Sequence, residues 1–278
     1  GSMTSVATVS PTIVSAVGNA AIVAASLTVR GRHNFETDKN QYRARAKTKA
    51  AGVAGLGVQI NASTANASAN LDSYIDSGAD VTTTAGVAIT ASGVNRATAF
   101  TDGLNVGILV AVGVTDSFAN ANGVSKAGIR DSGTVSATPD FTVGGLTINA
   151  TSQDSANARV EAAGGGLVNA AVNNAEAKTN PDVEAYIGEK TSILSTGTVS
   201  VTALADPEAD GKTKGTGGGF VSVSSSESDV EVKPDVTAKI RSGSVIATTG
   251  TDSKVTVEAS AVPQSGSTPT YLITSPSI

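Results

Sequence analysis

The sequence predicts an all-β chain, a repetitive β-solenoid of the parallel β-helix kind, and three observations predict it. An apolar-x-apolar tripeptide followed two residues later by a small residue recurs at Leu27-Thr28-Val29, Val87-Ala88-Ile89, Leu146-Thr147-Ile148, Val199-Ser200-Val201 and Val255-Thr256-Val257. A glycine opening an apolar run keeps step with it at Gly107, Gly166 and Gly219, always at the same offset from its unit start. An isoleucine landmark follows at Ile75, Ile129, Ile187 and Ile240. A fixed internal period is the mark of stacked units, each burying its apolar face against its neighbours. No apolar stripe of helical period bounded by helix caps interrupts it.

Taken in order, Gly1-Ser2-Met3 reads as a cloning remnant and residues 4–264 as a single repeat array. Residues 13–29 alternate small and β-branched side chains and read as strand. Ser15, Gly18, Asn19, Ser26 and Thr28 break that run short of the ~20 apolar residues that a membrane span needs. With no basic segment before it, it does not read as a signal-peptide remnant either.

The unit at Leu146 is the clearest. Leu146, Ile148 and Ala150 share one parity with Ala156, Ala158, Val160 and Ala162, the period-2 pattern of a half-buried strand. Gly164-Gly165-Gly166 interrupts it, and Val168, Ala170 and Val172 begin a second strand that fades at Asn173-Asn174. Asn180-Pro181-Asp182 is a turn, Val183 to Ile187 a third strand, and Ile193-Leu194 lead through Thr196-Gly197 into the next unit. That unit repeats the plan, with an expected turn at Asp206-Pro207, then Gly217-Gly218-Gly219, Val221 and Val223, and Pro234-Asp235-Val236 in place of Pro181-Asp182-Val183. Two geometries fit. In the first, each unit supplies three short coils, the reading that the near-equal steps between landmarks support. Alternatively, each unit is a long hairpin turning at its glycines, and the hairpins stack as a β-prism or sandwich. The scarcity of two-residue hairpin signals, confined to Asp102-Gly103 and Asp210-Gly211, favours the first. Residues 265–278, with Gly266, Pro269 and Pro276, read as a turn-rich tail or linker.

Composition limits the core and the chemistry. Only 3 % of the 278 residues are aromatic, with no Trp and no Cys, so the interior must be thin and built of Ala, Val, Ile and Leu, without disulfides or thiol chemistry. A net charge of −5 argues against nucleic acid as a partner. The single His33 has no Gly-x-Ser-x-Gly turn to serve, and the chain reads as non-enzymatic. Gly211-Lys212-Thr213 lacks the leading glycine of a phosphate loop, since Asp206 stands there, and Lys212 reads as a corner residue. Acidic clusters at Asp72, Asp76 and Asp80 and at Asp206, Glu208 and Asp210 are placed at corners. Calcium is the one cofactor they suggest, and solvated turn carboxylates are the plainer reading. The outward Thr positions vary too much between units to order water as a flat ladder.

One segment departs from its siblings. In the unit starting at Leu27 the distance to the glycine landmark, taken as Gly57, is longer by about ten positions, and residues 30–49 carry a local charge of +5, leaving −10 for the rest. Arg43, Arg45, Lys47 and Lys49 alternate with small residues and place four cations on one face of a strand, beside Phe35 and Tyr42. Such a row concentrates anions, so Arg30, Arg32, His33, Arg43, Arg45, Lys47 and Lys49 are the candidate ligand-binding residues for an acidic glycan, a phosphate-bearing lipid or an anionic protein. A solvated face paired with acidic neighbours is the alternative.

The paired units Val183-Glu184-Ala185-Tyr186-Ile187-Gly188 with Thr198-Val199-Ser200-Val201, and Val236-Thr237-Ala238-Lys239-Ile240 with Val255-Thr256-Val257, separated by triple glycine, resemble the degenerate repeats of very large bacterial surface or secreted proteins of the filamentous-haemagglutinin-like and leukotoxin-like group. The likeness covers most of residues 87–261 and is lost in the charged segment. It implies an extracellular, fibrous β-solenoid at the bacterial cell surface that spans distance and presents an adhesive face. Its partners would be a surface glycan or protein and the neighbouring repeats of a longer chain, with no catalytic residues. A carbohydrate-active or glycan-binding β-helix is the alternative.

Overall fold

A computed structural model describes residues 1–35, 43–133, 138–262 and 273–274. Its strands, in chain order, are β1 (Ser2–Val9), β2 (Thr12–Val17), β3 (Ala21–His33), β4 (Ala44–Ala67), β5 (Asn70–Ile75), β6 (Asp80–Ala121), β7 (Val124–Ile129), β8 (Phe141–Val143), β9 (Leu146–Thr179), β10 (Asp182–Ile187), β11 (Ser192–Ser195), β12 (Val199–Val232), β13 (Asp235–Ile240), β14 (Val245–Thr248), β15 (Val255–Ala261) and β16 (Ile273–Thr274). Every pairing among them is parallel, in one large sheet and one five-stranded sheet of order β13-β10-β7-β5-β2. The chain is therefore all-β and parallel β-helix-like.

The register shows what one unit is. Leu27 lies beside Val87, Val87 beside Leu146, Leu146 beside Val199 and Val199 beside Val255. Ile75, Ile129, Ile187 and Ile240 stack in the same way, as do Gly166 and Gly219. Residues a whole unit apart are thus neighbours across one strand spacing, and one unit makes one turn of chain. This overturns the expected three short coils per unit, because the glycine and isoleucine landmarks mark successive sides of the same turn. The long-hairpin alternative was right about the path and wrong about the pairing. Each turn does run out, reverse at its glycines and return, but its two legs meet through side chains while the backbone bonds run to the turns above and below. Thr101 Oγ1 donates across the gap to the Asp116 carbonyl at 2.6 Å, and Asn105 Nδ2 to the Val112 carbonyl at 2.7 Å.

A turn has two parts, a body and an arm. In the turn from Leu146, the start of β9 (Leu146, Ile148, Ala150), β10 (Val183, Ala185, Ile187) and β11 (Ile193) enclose the body core, joined by Phe141 and Val143 of the preceding turn. Ile75, Ile129 and Ile187 are all 0 % exposed there, and each such side chain contributes about 1.5–3 kcal/mol by burial. The arm is the rest of β9: an outgoing leg to about residue 163, a tip at 164–167 and a returning leg over 168–179. Its inner face is alanine, with Ala97, Ala99, Ala156 and Ala158 on outgoing legs packed with Ala119, Ala121, Ala175 and Ala177 on returning legs. Side chains this small let the two legs approach closely.

Nearer the tip the interior turns polar, and glycine makes room for it. A Cβ on Gly164 would stand 2.7 Å from Asn169 Oδ1, one on Gly217 2.8 Å from Asn169 Nδ2, and one on Gly215 2.8 Å from Asn173 Nδ2. Since Asn169 and Asn173 point inward, their neighbours Val168 and Val172 point out, as do Val221 and Val223 in the next turn. The second strand expected from Val168 is present, but its apolar side faces outward and it runs on through Asn173-Asn174 to Thr179.

Other expectations also change. Asp206-Pro207, Asp210-Gly211 and Lys212 lie inside β12 and Asp102-Gly103 inside β6, so none of them is a turn or corner. Ser2 and Met3 lie in β1, beside Ile60 and Asn61. Within the expected tail, Ile273 and Thr274 pair with Gly211 and Lys212; the rest of residues 265–278 lies outside the described residues.

Candidate ligand-binding surface

The outgoing legs bend where body meets arm, and in one turn an internal hydrogen bond fastens the bend to the corner of the turn before it. Where the returning leg rounds the corner into the five-stranded sheet, a backbone N–H is left facing inward. Ala69 N–H donates to Asn95 Oδ1 of the following turn at 2.8 Å. One turn later Gly123 takes the place of Ala69 and Asp154 that of Asn95. In the next turn the pair becomes Pro181, which has no N–H, and Pro207, which has no acceptor. Sequence at the bend thus tracks the donor it must meet.

Asp154 is 1 % exposed. Burial pushes its carboxyl up to about 6, against the pull of Ser152, whose Oγ donates to Oδ2 at 2.7 Å, and of Asn95 and the Gly123 N–H, while the Asp206 charge nearby adds to the rise. Neither Asn95 nor Gly123 reaches full hydrogen-bond geometry with Oδ1.

On the outside of this bend lies an open groove of about 640 Å³ that crosses several turns. Arg32, Asn34 and Phe35 stand at one end, Thr90, Ser92, Asn149, Thr151 and Gln153 along it, and Leu204, Asp206 and Val262 at the other. The Arg32 guanidinium sits 5.2 Å from the Phe35 ring. Asn34 Nδ2 donates to the Val94 carbonyl at 3.0 Å and lies 3.1 Å from His33 Nε2. Burial holds the His33 pKa below its ordinary value, so the ring is neutral at neutral pH. Polar groups of this kind beside an aromatic ring can bind a polyhydroxylated chain.

The candidate cations divide into two groups on the same side of the sheet. Arg30 and Arg32 face outward from β3 beside Thr90 and Ser92, with His33 beside Gly93. Arg45, Lys47 and Lys49 face outward from β4 beside Thr98, Phe100 and Asp102, and exposed Arg43 immediately precedes that strand. The charged segment is therefore not one insertion over 30–49. His33 aligns with Gly93 and Ala44 with Ala97, so ten residues, 34–43, occupy the place of three, 94–96. The insertion is seven residues rather than ten, because Gly57 aligns with Ala111 and it is Ala54 that aligns with Gly107. Glu36, Asp38, Lys39 and Tyr42 lie outside the described residues.

Lys47 lies 5.3 Å and Arg159 5.9 Å from the Phe100 ring, so this half-buried, outward-facing aromatic holds cations from the turns on either side. Lys49 pairs with Asp102 at 3.4 Å. The acidic cluster at Asp72 and Asp76 meets Arg130, at 3.3 and 3.6 Å, which also stacks on Tyr74. Two turns on, Arg241 stacks on Tyr186 and pairs with Asp131 and Glu184. The Glu189 N–H, together with Arg241, holds the Asp131 carboxyl below its usual range. Burial draws Glu184 upward, and hydrogen bonds from Lys239 and Arg241 outweigh it. Among the described residues, no group of three or more His, Asp or Glu is arranged to hold a metal ion, and no helix is long and apolar enough to cross a membrane.

The groove was not visible as such in the sequence, but a signal for the bend was. Asn95 and Asp154 occupy positions of inward parity between alanines, where a strand packed on an apolar core would carry apolar side chains. The fold and surface define a parallel, repeat-built β chain with a polar groove and a cationic strip. No protein-family model matches it, and neither a curated protein nor a solved structure does.

Proposed function

We propose that the chain is a structural and adhesive repeat segment of a large bacterial surface or secreted protein: a β-solenoid that spans distance outside the cell and presents a binding face. The observation that carries this reading is the pairing of one unit per turn. Each added unit lengthens the stack by about 4.8 Å and repeats the same outward surfaces, the behaviour of a spacer that also displays. The resemblance to filamentous-haemagglutinin-like and leukotoxin-like repeats points the same way. In this reading the chain binds and does not catalyse.

The groove favours a more specific form of the adhesive role, a glycan as ligand. Hydroxyl and amide groups of Thr90, Ser92, Asn149 and Gln153 would meet sugar hydroxyls, Phe35 a sugar face, and Arg32 with the cationic strip an acidic substituent. The test is binding of the chain to panels of acidic and neutral glycans and to bacterial and host cells. Two variants accompany it, one with Arg43, Arg45, Lys47 and Lys49 changed to Ser, the other with Arg32 and Phe35 changed to Ala. Saturable binding lost in either variant supports adhesion and locates it, and binding unchanged in both removes this surface from the function.

A further inference from the structure

We propose that the arm is a self-association surface: the outgoing-leg face of one copy stacks on the returning-leg face of a second copy, and the contact repeats from copy to copy. Near the tip the returning-leg face of the arm is apolar, and the outgoing-leg face carries large apolar residues in its first two turns and small ones in the next two. On the returning leg, Leu56, Val110, Val168 and Val221 form one outward ladder across four turns, and Val58, Val112, Ala170 and Val223 the next. Leu56 is 71 % and Val223 67 % exposed, and Phe220 at the tip is 92 % exposed. On the outgoing leg, Val53 and Leu104 are exposed at the same end. The buried side of these strands holds Asn105, Asn169 and Asn173, so apolar and polar sides are reversed relative to a strand that packs only on its own core.

Farther from the tip the two faces carry opposite charge. The outgoing-leg face has Arg45, Lys47, Lys49, Arg159, Lys212 and Lys214 against Asp102, Glu161 and Asp210, a surplus of three positive charges. The returning-leg face has Asp116, Glu176, Glu227, Asp229 and Glu231 against Lys178 and Lys233, which pairs with Glu231, a surplus of three negative charges. The contacts inside the arm put these rows at matching heights, since Thr101 reaches the Asp116 carbonyl and Thr213 lies 3.1 Å from Ser228. Arms placed side by side bring apolar tip against apolar tip and cation row against acid row at once.

The area is sufficient. Four strands at about 4.8 Å, with their side chains, are about 19 Å wide, and ten residues at about 3.3 Å are about 33 Å tall, so a stacked pair of faces covers about 1,250 Å² in total. That reaches the lower bound for a specific interface, about 1,200 Å², whereas the apolar ends alone would fall well below it. Because the two faces differ, the contact is heterologous and does not close on itself.

The experiment is sedimentation velocity of the full chain over a wide concentration range, with two charge reversals on outward-facing positions: Lys212→Glu with Lys214→Glu on the outgoing leg, and Glu227→Lys with Asp229→Lys on the returning leg. Far-UV circular dichroism identical to wild type confirms that both variants fold. The expected result is a wild-type mass that climbs with concentration and falls back at high salt, loss of association in each variant alone, and its recovery when the two variants are mixed. A wild-type mass independent of concentration overturns the proposal, as does association undiminished in either variant or not restored by mixing. Flotation of monomeric wild type with phosphatidylcholine–phosphatidylglycerol vesicles would assign the apolar tip to lipid and overturn it equally.

Discussion

Asp154 makes the chain less stable as pH rises toward neutrality, and the size of the effect follows from its surroundings. Its carboxyl titrates at about 6 in the folded chain against 3.8 as the ordinary value. Between those values the folded chain holds a proton that the unfolded chain has released, so stability falls as pH rises and the full cost persists above pH 6. A shift of this size corresponds to about 3 kcal/mol between acid and neutral pH, of which about 1.3 kcal/mol is lost between pH 5 and pH 7. Two other kinds of group have the opposite sign. Glu184 and Asp131, with lowered values, contribute stability that is lost only as pH falls through the carboxylate range below about 4.5. His33, also lowered, favours the fold above its ordinary value of 6.5 and loses that contribution as pH falls. Asp116, which burial also raises, shares the sign of Asp154, so urea unfolding followed by circular dichroism at pH 5, 6 and 7 in a His33→Gln background is compared with and without Asp154→Asn. The Asp154 share is about 1.3 kcal/mol more stability at pH 5 than at pH 7, and adding Asp154→Asn should remove that share of the slope. A flat profile before that substitution, or an unchanged slope after it, would refute the assignment of a buried, unwillingly ionised group beneath the groove.

Three further outcomes are expected. Gly219→Ala places a Cβ 2.4 Å from the Gly166 carbonyl, whereas Gly218→Ala meets nothing within 4 Å; the first should cost about 1–3 kcal/mol in urea unfolding and the second little. Gly128→Ala pushes a Cβ to 2.6 Å from the Tyr186 carbonyl and 2.7 Å from its ring, with a loss of about 1–3 kcal/mol that should shrink when Tyr186→Ala is combined with it. Arg241→Ala removes the pairs to Asp131 and Glu184 and the stack on Tyr186; because the site is partly solvated the cost should be only about 1 kcal/mol, and smaller in high salt.

The period, the all-β class and the landmark columns were legible because stacked turns place like residues side by side, which is why Ile75, Ile129, Ile187 and Ile240 align in sequence and in space. The size of a turn was not, because an even step between landmarks describes equally a small closed coil and one side of a large one. Only long-range pairing decides between them. The direction of Val168 and Val172 was hidden for a local reason. The number of residues in a tip sets which parity of the returning leg faces inward, and the tips themselves differ: three residues, 107–109, separate the paired positions in one turn where two, Gly166 and Leu167, do so in the next. The cationic row of Arg45, Lys47 and Lys49 was readable from simple alternation. Its pairing with Phe100 and Asp102, a whole unit further along the chain, was not.

The fastening at the bend bears on how such a chain can be cut and rejoined. Its two halves lie in successive turns: Ala69 with Asn95, then Gly123 with Asp154, then Pro181 with Pro207. A recombination event that swaps whole units at the Val87, Leu146 or Val199 boundaries would separate each corner from the bend residue matched to it, setting a proline against an aspartate or an N–H against nothing. The block that can be moved without mismatch starts at a corner and ends past the next bend, out of phase with the repeat that the eye picks out. Duplication of this chain therefore has a preferred reading frame of its own, set by the match between each corner and the bend residue of the following turn.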